Sequence, residues 1–283
     1  MKSQCEYEKL LNRKTIDYID AIRDDLGLDN PLEDVRDTVR NLEESKTLFS
    51  EVALRAAGRH VNLEGLLLIA LAMNIAQRVE TPKFDGGRLF QAIPQLRRLT
   101  LADYNFLPEL AEILNGAGVV VVAMPTLEGS RLNGAMRRLD DRYLLLVTDR
   151  NHCVDTFWFT VFHEIAHILR SDEAELVCDQ AEDEADALSG ELLFPDEVGY
   201  RAFLAEAGIF SARNIERYAK SAGIDPALVL GRLQKENIVP YQSHLGSRFR
   251  RRLYLDGPYP FRGRAVIHGT VESDLKMLIE REI

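Results

Sequence analysis

No stretch of this chain constrains its fold more than Phe157-Trp-Phe-Thr-Val-Phe-His163-Glu164-Ile-Ala-His167-Ile-Leu-Arg170. At the 3.6-residue period of an α-helix, Thr156, Thr160, His163, His167 and Arg170 fall on one narrow polar stripe, while Trp158, Val161, Phe162, Ile165, Ala166, Ile168 and Leu169 cover most of the remaining circumference. A helix that is apolar nearly all round is buried, and each polar side chain it keeps needs a partner, since an unpaired one costs about 1–3 kcal/mol. Here the polar side chains spell H-E-x-x-H. On a helix this pattern sets two imidazoles one turn apart, where both reach a single zinc ion, with the glutamate beside them as general base. Asp155 is the expected N-cap.

Composition narrows the setting. A chain of 283 residues, 46% hydrophobic, can bury one large core or two modest ones. It has no run of eighteen apolar residues, and Met-Lys-Ser-Gln-Cys-Glu-Tyr-Glu at its start lacks the charged-then-apolar layout of a signal peptide, so the expected location is cytoplasmic. Cys5, Cys153 and Cys178 are an odd number at unrelated spacings, which argues against a disulfide framework. The net charge of −10 opposes non-specific adhesion to nucleic acid. Eight carboxylates and no Lys or Arg lie between Asp172 and Asp186, directly after the histidine helix. Beside a metal site such a run favours cations and basic substrate segments.

In chain order, residues 5–26 alternate as an amphipathic helix, and Asn30-Pro31 marks a fresh start for helical patterns over 32–42 and 48–57. Residues 63–79 are apolar enough for a core helix but too short to cross a bilayer. A short helix over 88–93 should end at Pro94, and a longer one runs over 103–116. The period then changes to that of strands: Gly118 to Met124, ended by Pro125, and an antiparallel hairpin of 134–139 and 143–148 joined at Asp140-Asp141. The strand from Gly134 to Leu139 is the candidate edge for pairing with a substrate backbone. Helices follow over 180–194, from Ser211 to Ala222, and over 227–237 after Asp225-Pro226. Arg248, Arg250, Arg251 and Arg252, with Arg262 and Arg264 and interleaved aromatic residues, make a basic patch suited to single-stranded nucleic acid or a phosphate-bearing partner. These readings give an α+β chain in three parts: a helical region over 1–85, a core with a small antiparallel sheet over 86–200, and a helical region with an Arg-rich tail over 201–283.

A catalytic zinc needs a third protein ligand and one open position. Glu182 and Glu184 flank the packing stripe Ala181, Ala185, Leu188 and Leu192 on opposite sides, so the helical wheel leaves both in play. Glu182 is favoured, because Asp186 lies one turn further on the same face and could accept a hydrogen bond from a ligating histidine. Tyr143, His152 and Tyr200 are candidate oxyanion donors.

The histidine helix, followed by Glu182-x-Glu-Ala-Asp and Glu191-Leu-Leu-Phe-Pro, resembles the ImmA/IrrE family of metallopeptidases. The strand and hairpin ahead of it, and Ala222-Gly-Ile-Asp-Pro-Ala-Leu-Val-Leu-Gly-Arg-Leu-Gln234, are similar to members fused to a helix-turn-helix. The resemblance spans roughly residues 50 to 240. It implies a zincin-like, gluzincin-type catalytic domain with Zn²⁺ on His163, His167 and a carboxylate of the Glu182 region, and Glu164 as base. It also implies a protein partner, a DNA-binding transcriptional regulator in a stress, mobile-element or toxin–antitoxin circuit. This chain departs from the family pattern at Leu188-Ser189-Gly190, where Phe-Ala-Ala is usual. The alternative expectation is a non-proteolytic binding protein that grips a partner protein or nucleic acid and treats its metal as structural.

Overall fold

The computed structural model describes residues 13–26, 63–170, 179–206 and 210–269. The expected helices over 32–42 and 48–57, most of the acidic run, Cys5 and Cys178 lie outside them. The central layer is a three-stranded sheet of β1 (Val119–Met124), β2 (Gly134–Leu139) and β3 (Arg142–Thr148) in the order β1-β3-β2. β2 and β3 form the expected antiparallel hairpin, with Leu139 opposite Arg142. Asp140 in the turn takes a φ of 52°, a left-handed conformation that aspartate tolerates. β1 joins the other side of β3 in parallel, Val119 opposite Tyr143 and Met124 opposite Thr148.

Period-two geometry sorts the strand residues onto two cores. Val119, Val121, Ala123, Met136, Tyr143, Leu145 and Val147 face one; Val120, Val122, Met124, Ala135, Leu139, Leu144 and Leu146 face the other. Because β1 and β3 are covered on both sides, they read in sequence as unbroken apolar runs rather than alternating ones. The second core is closed by α2 (Leu63–Gln77), which buries Leu67, Leu68, Leu71, Ala72 and Ile75, and by α1 (Arg13–Leu26), which adds Ile19 and Ile22. Among the described residues, no helix is long and apolar enough to cross a membrane.

The first core is larger. It is covered by α3 (Gly86–Leu99), α4 (Leu107–Asn115) and α5 (Val154–Arg170), then by α6 (Asp179–Leu193), α7 (Glu197–Glu206), α8 (Ala212–Ala222), α9 (Pro226–Lys235) and α10 (Leu245–Phe249). Ser211 caps α8 by accepting from the Asn214 N–H, and Asp225 caps α9 by accepting from Ala227, with Pro226 in the first turn. The C-terminal part, expected to be helical, also contains an antiparallel pair, β4 (Arg252–Leu255) and β5 (Ala265–His268), whose Leu253, Leu255 and Ala265 enter the same core.

Three local expectations change. Helix α3 runs through Pro94 to Leu99 instead of stopping there. The ring removes the bond to the carbonyl of Phe90, but Phe90 and Pro94 are both exposed, while Leu89, Ile93, Leu96 and Leu99 hold the inner side. Helix α4 begins at Leu107, with Pro108 in its first turn, rather than near Asp103. Asp155 is not the N-cap of α5: the helix starts at Val154, the Cys153 carbonyl accepts from the Phe157 N–H, and Asp155 is buried in the first turn.

Candidate metal centre

Helix α5 buries Phe157, Trp158, Val161, Phe162, Ile165, Ala166 and Ile168, which fixes its rotation and aims the polar stripe at α6. His167 is only 4% exposed and Glu164 only 8%. The Nε2 atoms of His163 and His167 stand 3.0 Å apart. From α6, Glu182 sets Oε2 3.3 Å from His163 Nε2 and Oε1 3.5 Å from His167 Nε2. Donors around a tetrahedral ion with bonds of about 2.0–2.1 Å are spaced by roughly 3.3–3.4 Å; the two imidazole nitrogens are near that spacing, and each is near it from one of the two Glu182 oxygens. Two imidazole nitrogens this close cannot present lone pairs to each other; a proton or a cation has to lie between them. Among the described residues, His163, His167 and Glu182 form a group able to hold a metal ion.

The rest of His163 is also held. Its Nδ1 lies 2.9 Å from Asp186 Oδ1, and Asp186 Oδ2 takes a hydrogen bond from Lys235 Nζ on α9 at 2.8 Å. A proton on Nδ1, donated to Asp186, leaves the Nε2 lone pair facing the other donors. Burial opposes charge on His163, but the hydrogen bonds to Asp186 and Glu182 outweigh it and push its pKa up to about 10. Burial would raise Glu182, yet hydrogen bonds from His163 and His167 hold its carboxyl down at about 2. The His163 hydrogen bond likewise holds Asp186 below the usual carboxylate range, against partial burial and with help from Lys235. The electrostatics are those of a site organised around positive charge. Glu184, on the other flank of α6, pairs instead with Arg170 at the end of α5, about one turn beyond His167.

Beside the base lies β2. A Cβ added to Gly134 would sit 2.4 Å from Thr160 Cγ2 and 3.3 Å from Glu164 Cγ, so this glycine is what lets the strand approach α5 at the base. The Asn133 carbonyl accepts from the Thr148 N–H at 2.8 Å. By ladder alternation the backbone groups of Gly134, Met136 and Arg138 therefore turn away from β3, towards the outer edge of the sheet.

Among the candidate oxyanion donors, Tyr200 has its hydroxyl committed to another group. The Tyr200 hydroxyl donates to Glu236 at 2.8 Å, Tyr143 packs edge-on against Phe84, and His152 stacks on Tyr254 with ring centroids 4.6 Å apart. The basic patch divides as well. Arg251, expected to meet nucleic acid or a partner, is 4% exposed and spends its guanidinium inside the protein, on the carbonyls of Ala102 and Thr100 and the carboxylate of Asp225. Arg248 gives two hydrogen bonds to Glu216 Oε1, Arg250 reaches Gln234, and Arg252 lies exposed beside Cys153. Sequence reasoning gave Gly134 only as the first residue of the candidate edge strand and passed over Lys235. A glycine three residues after an arginine, and a lysine in a distant helix, carry no further signal until the fold brings them to the histidines.

Residues 115–210, from the end of α4 to just past α7, match the model of a peptidase family, Peptidase_M78, described as the IrrE N-terminal-like domain. The match agrees with the resemblance read from the motifs of α5 and α6, and this segment is a metallopeptidase-like domain. No curated protein and no solved structure matches the chain.

Proposed function

We propose that the chain is a zinc-dependent endopeptidase that cuts a protein partner, a DNA-binding transcriptional regulator in a stress, mobile-element or toxin–antitoxin circuit. The observation that carries the reading is the convergence of His163, His167 and Glu182 at 3.0–3.5 Å with Glu164 on the same helix beside them. Two imidazoles and one carboxylate are a donor set suited to zinc, and His163, His167 and Glu182 would hold it. A zinc ion held there supplies Lewis acidity towards a peptide carbonyl and makes water acidic enough to attack near neutral pH.

The protein does the rest. Asp186, steadied by Lys235, keeps the His163 ring oriented. Glu164 takes the proton of the attacking water on its carboxylate and returns it to the departing amine nitrogen, so the base is regenerated in one turnover. Its burial against Gly134 limits the positions the carboxylate can adopt. An extended substrate paired with the outer edge of β2 would run past Glu164, which brings its backbone carbonyls to the base.

The test is Glu164→Gln. Cleavage should fall by about 10²–10⁴-fold with zinc content unchanged. Co-expression of either form with neighbouring transcriptional regulators, read by mass spectrometry, should yield a cut product only with Glu164 present. A Glu164→Gln protein that cuts at the full rate sinks the reading.

A further inference from the structure

Strand β2 carries a charge pattern that neither metal binding nor core packing requires. Between Glu128 and Asp140 there is no carboxylate, and Arg131, Arg137 and Arg138 lie in that interval. Arg150, from the turn after β3, joins them by donating from Nη1 to Asn133 Oδ1 at 3.1 Å. In a chain of net charge −10 this is a local reversal of sign.

The strand is also an edge. Among the described residues no strand pairs with its outer side, so the outward backbone groups of Gly134, Met136 and Arg138 form a row that an extended peptide could complete. One of these groups is already covered, because Arg137 donates from Nη1 to the Met136 carbonyl at 2.8 Å. Arg137 is half-buried; burial lowers the pKa of its guanidinium and Glu164 pulls the other way, which places it within electrostatic reach of the base.

We propose that the outer edge of β2 takes an extended peptide bearing acidic side chains, and that Arg137 yields the Met136 carbonyl to a peptide N–H and pairs with a carboxylate of that peptide. The inference rests on the peptidase reading for its purpose, but the binding does not depend on cleavage. Ala135 and Leu139 face the α2 side of the sheet and Gly134 and Met136 the α5 side, so Arg137 belongs to the α2 side. A peptide residue directly across from Arg137 shares that side, while its sequence neighbours face α5. Acidic residues are therefore accommodated at alternate positions, on the α2 side of the sheet with Arg137 as counter-charge, rather than on the α5 side that carries Glu164. The overall charge of the chain and the carboxylates of α6 favour basic peptides, so a preference for acidic ones has to come from β2.

The probes are two fluorescein-labelled octapeptides, alternating Val-Glu and alternating Val-Lys, titrated at low salt against the full chain carrying Glu164→Gln and read by anisotropy. The Val-Glu peptide should bind about tenfold more tightly, because a favourable cross-strand pair at Arg137 becomes a repulsive one with Val-Lys. Adding Arg137→Gln should shrink the preference to about twofold or less, whereas Arg137→Lys should keep most of it. N-methylation of alternate Val-Glu residues, on the edge that meets β2, should abolish binding, because the pairing is through the backbone. Equal or tighter binding of Val-Lys, an undiminished preference after Arg137→Gln, unchanged binding of the N-methylated peptide, or no binding of either peptide each overturns the proposal. The two-peptide comparison stands even if Arg137→Gln does not fold. Cleavage of the Val-Glu peptide by the chain with Glu164 intact reads the peptidase function separately: binding without cleavage leaves the edge assignment standing and counts against the peptidase.

Discussion

The smallest side chain near the reacting groups carries one of the sharpest constraints. A methyl group on residue 134 would stand 2.9 Å from the Leu146 carbonyl as well as 2.4 Å from Thr160 Cγ2, so Gly134→Ala must push β2 off α5. Overpacking of this kind costs about 1–3 kcal/mol, and a displacement near 1 Å at a base can cost on the order of 10²-fold in rate. Thermal melts and kcat/KM together should show both effects, and a wild-type rate in Gly134→Ala would separate the strand from the base. Glu182 and Glu184 provide a second comparison. Glu182→Ala should weaken zinc binding, in competition with a chelating dye, by more than the roughly 10–100-fold typical of an outer partner. Glu184→Ala should leave zinc affinity unchanged, and loss of its pairing with Arg170 should cost about 0–1 kcal/mol for a partly exposed pair. The sequence left these two carboxylates open because they flank the packing stripe symmetrically. What separates them is the partner each meets on α5: the two imidazoles for Glu182, and Arg170, about a turn further on, for Glu184.

At the scale of elements, legibility followed burial on all sides. Helix α5 and strands β1 and β3 were readable because their apolar residues cover whole faces, and the spacing of His163 and His167 by four follows from helix geometry alone. The hairpin and the caps at Ser211 and Asp225 were readable from turn and capping chemistry. Elements that mix signals were not. In β4 the period-two pattern is present, with Leu253 and Leu255 buried and Arg252 and Tyr254 exposed, but it is four residues long and sits within a run of arginines. Arg251, next to it, looked like surface charge and is instead an internal tie. At the start of α5, Asn151 and His152 take φ of 73° and 48°, and this left-handed turn sets the helix start ahead of Asp155. Pro94 misled for the opposite reason, since tertiary packing along Leu89, Ile93 and Leu96 overrides one missing hydrogen bond.

For the molecule as a whole, Arg251 is the junction. Nη1 donates to the Ala102 carbonyl at 2.7 Å and Nη2 to that of Thr100 at 2.9 Å, while the carboxylate of Asp225 receives the guanidinium and caps α9. Arg251→Ala leaves Asp225 buried without its counter-charge, and urea unfolding should show a loss of about 3–5 kcal/mol. The double variant with Asp225→Ala should lose less than the sum of the singles. Proton linkage gives a second global readout. With its folded pKa near 10 against an ordinary 6.5, His163 in chelator-treated protein contributes stability that is full below about pH 6.5 and fades as pH rises through about 10. Zinc requires the deprotonated ring, so uptake at about pH 7.5 should release close to one proton from His163, counted by calorimetry in buffers of different ionisation enthalpy. A count of zero would contradict the charge assigned to that ring.

The three donors divide two to one between helices: α5 supplies a pair already in register, and α6 supplies the third fifteen residues beyond His167. An ion seated among them closes the intervening chain into a ring. On the loop-entropy model, a bond across about fifteen residues restricts the unfolded chain by about 3 kcal/mol. The same atom that would activate water would then act as a buckle between two helices, so the concentration of free zinc would set both how fast the protein works and how long it stays folded.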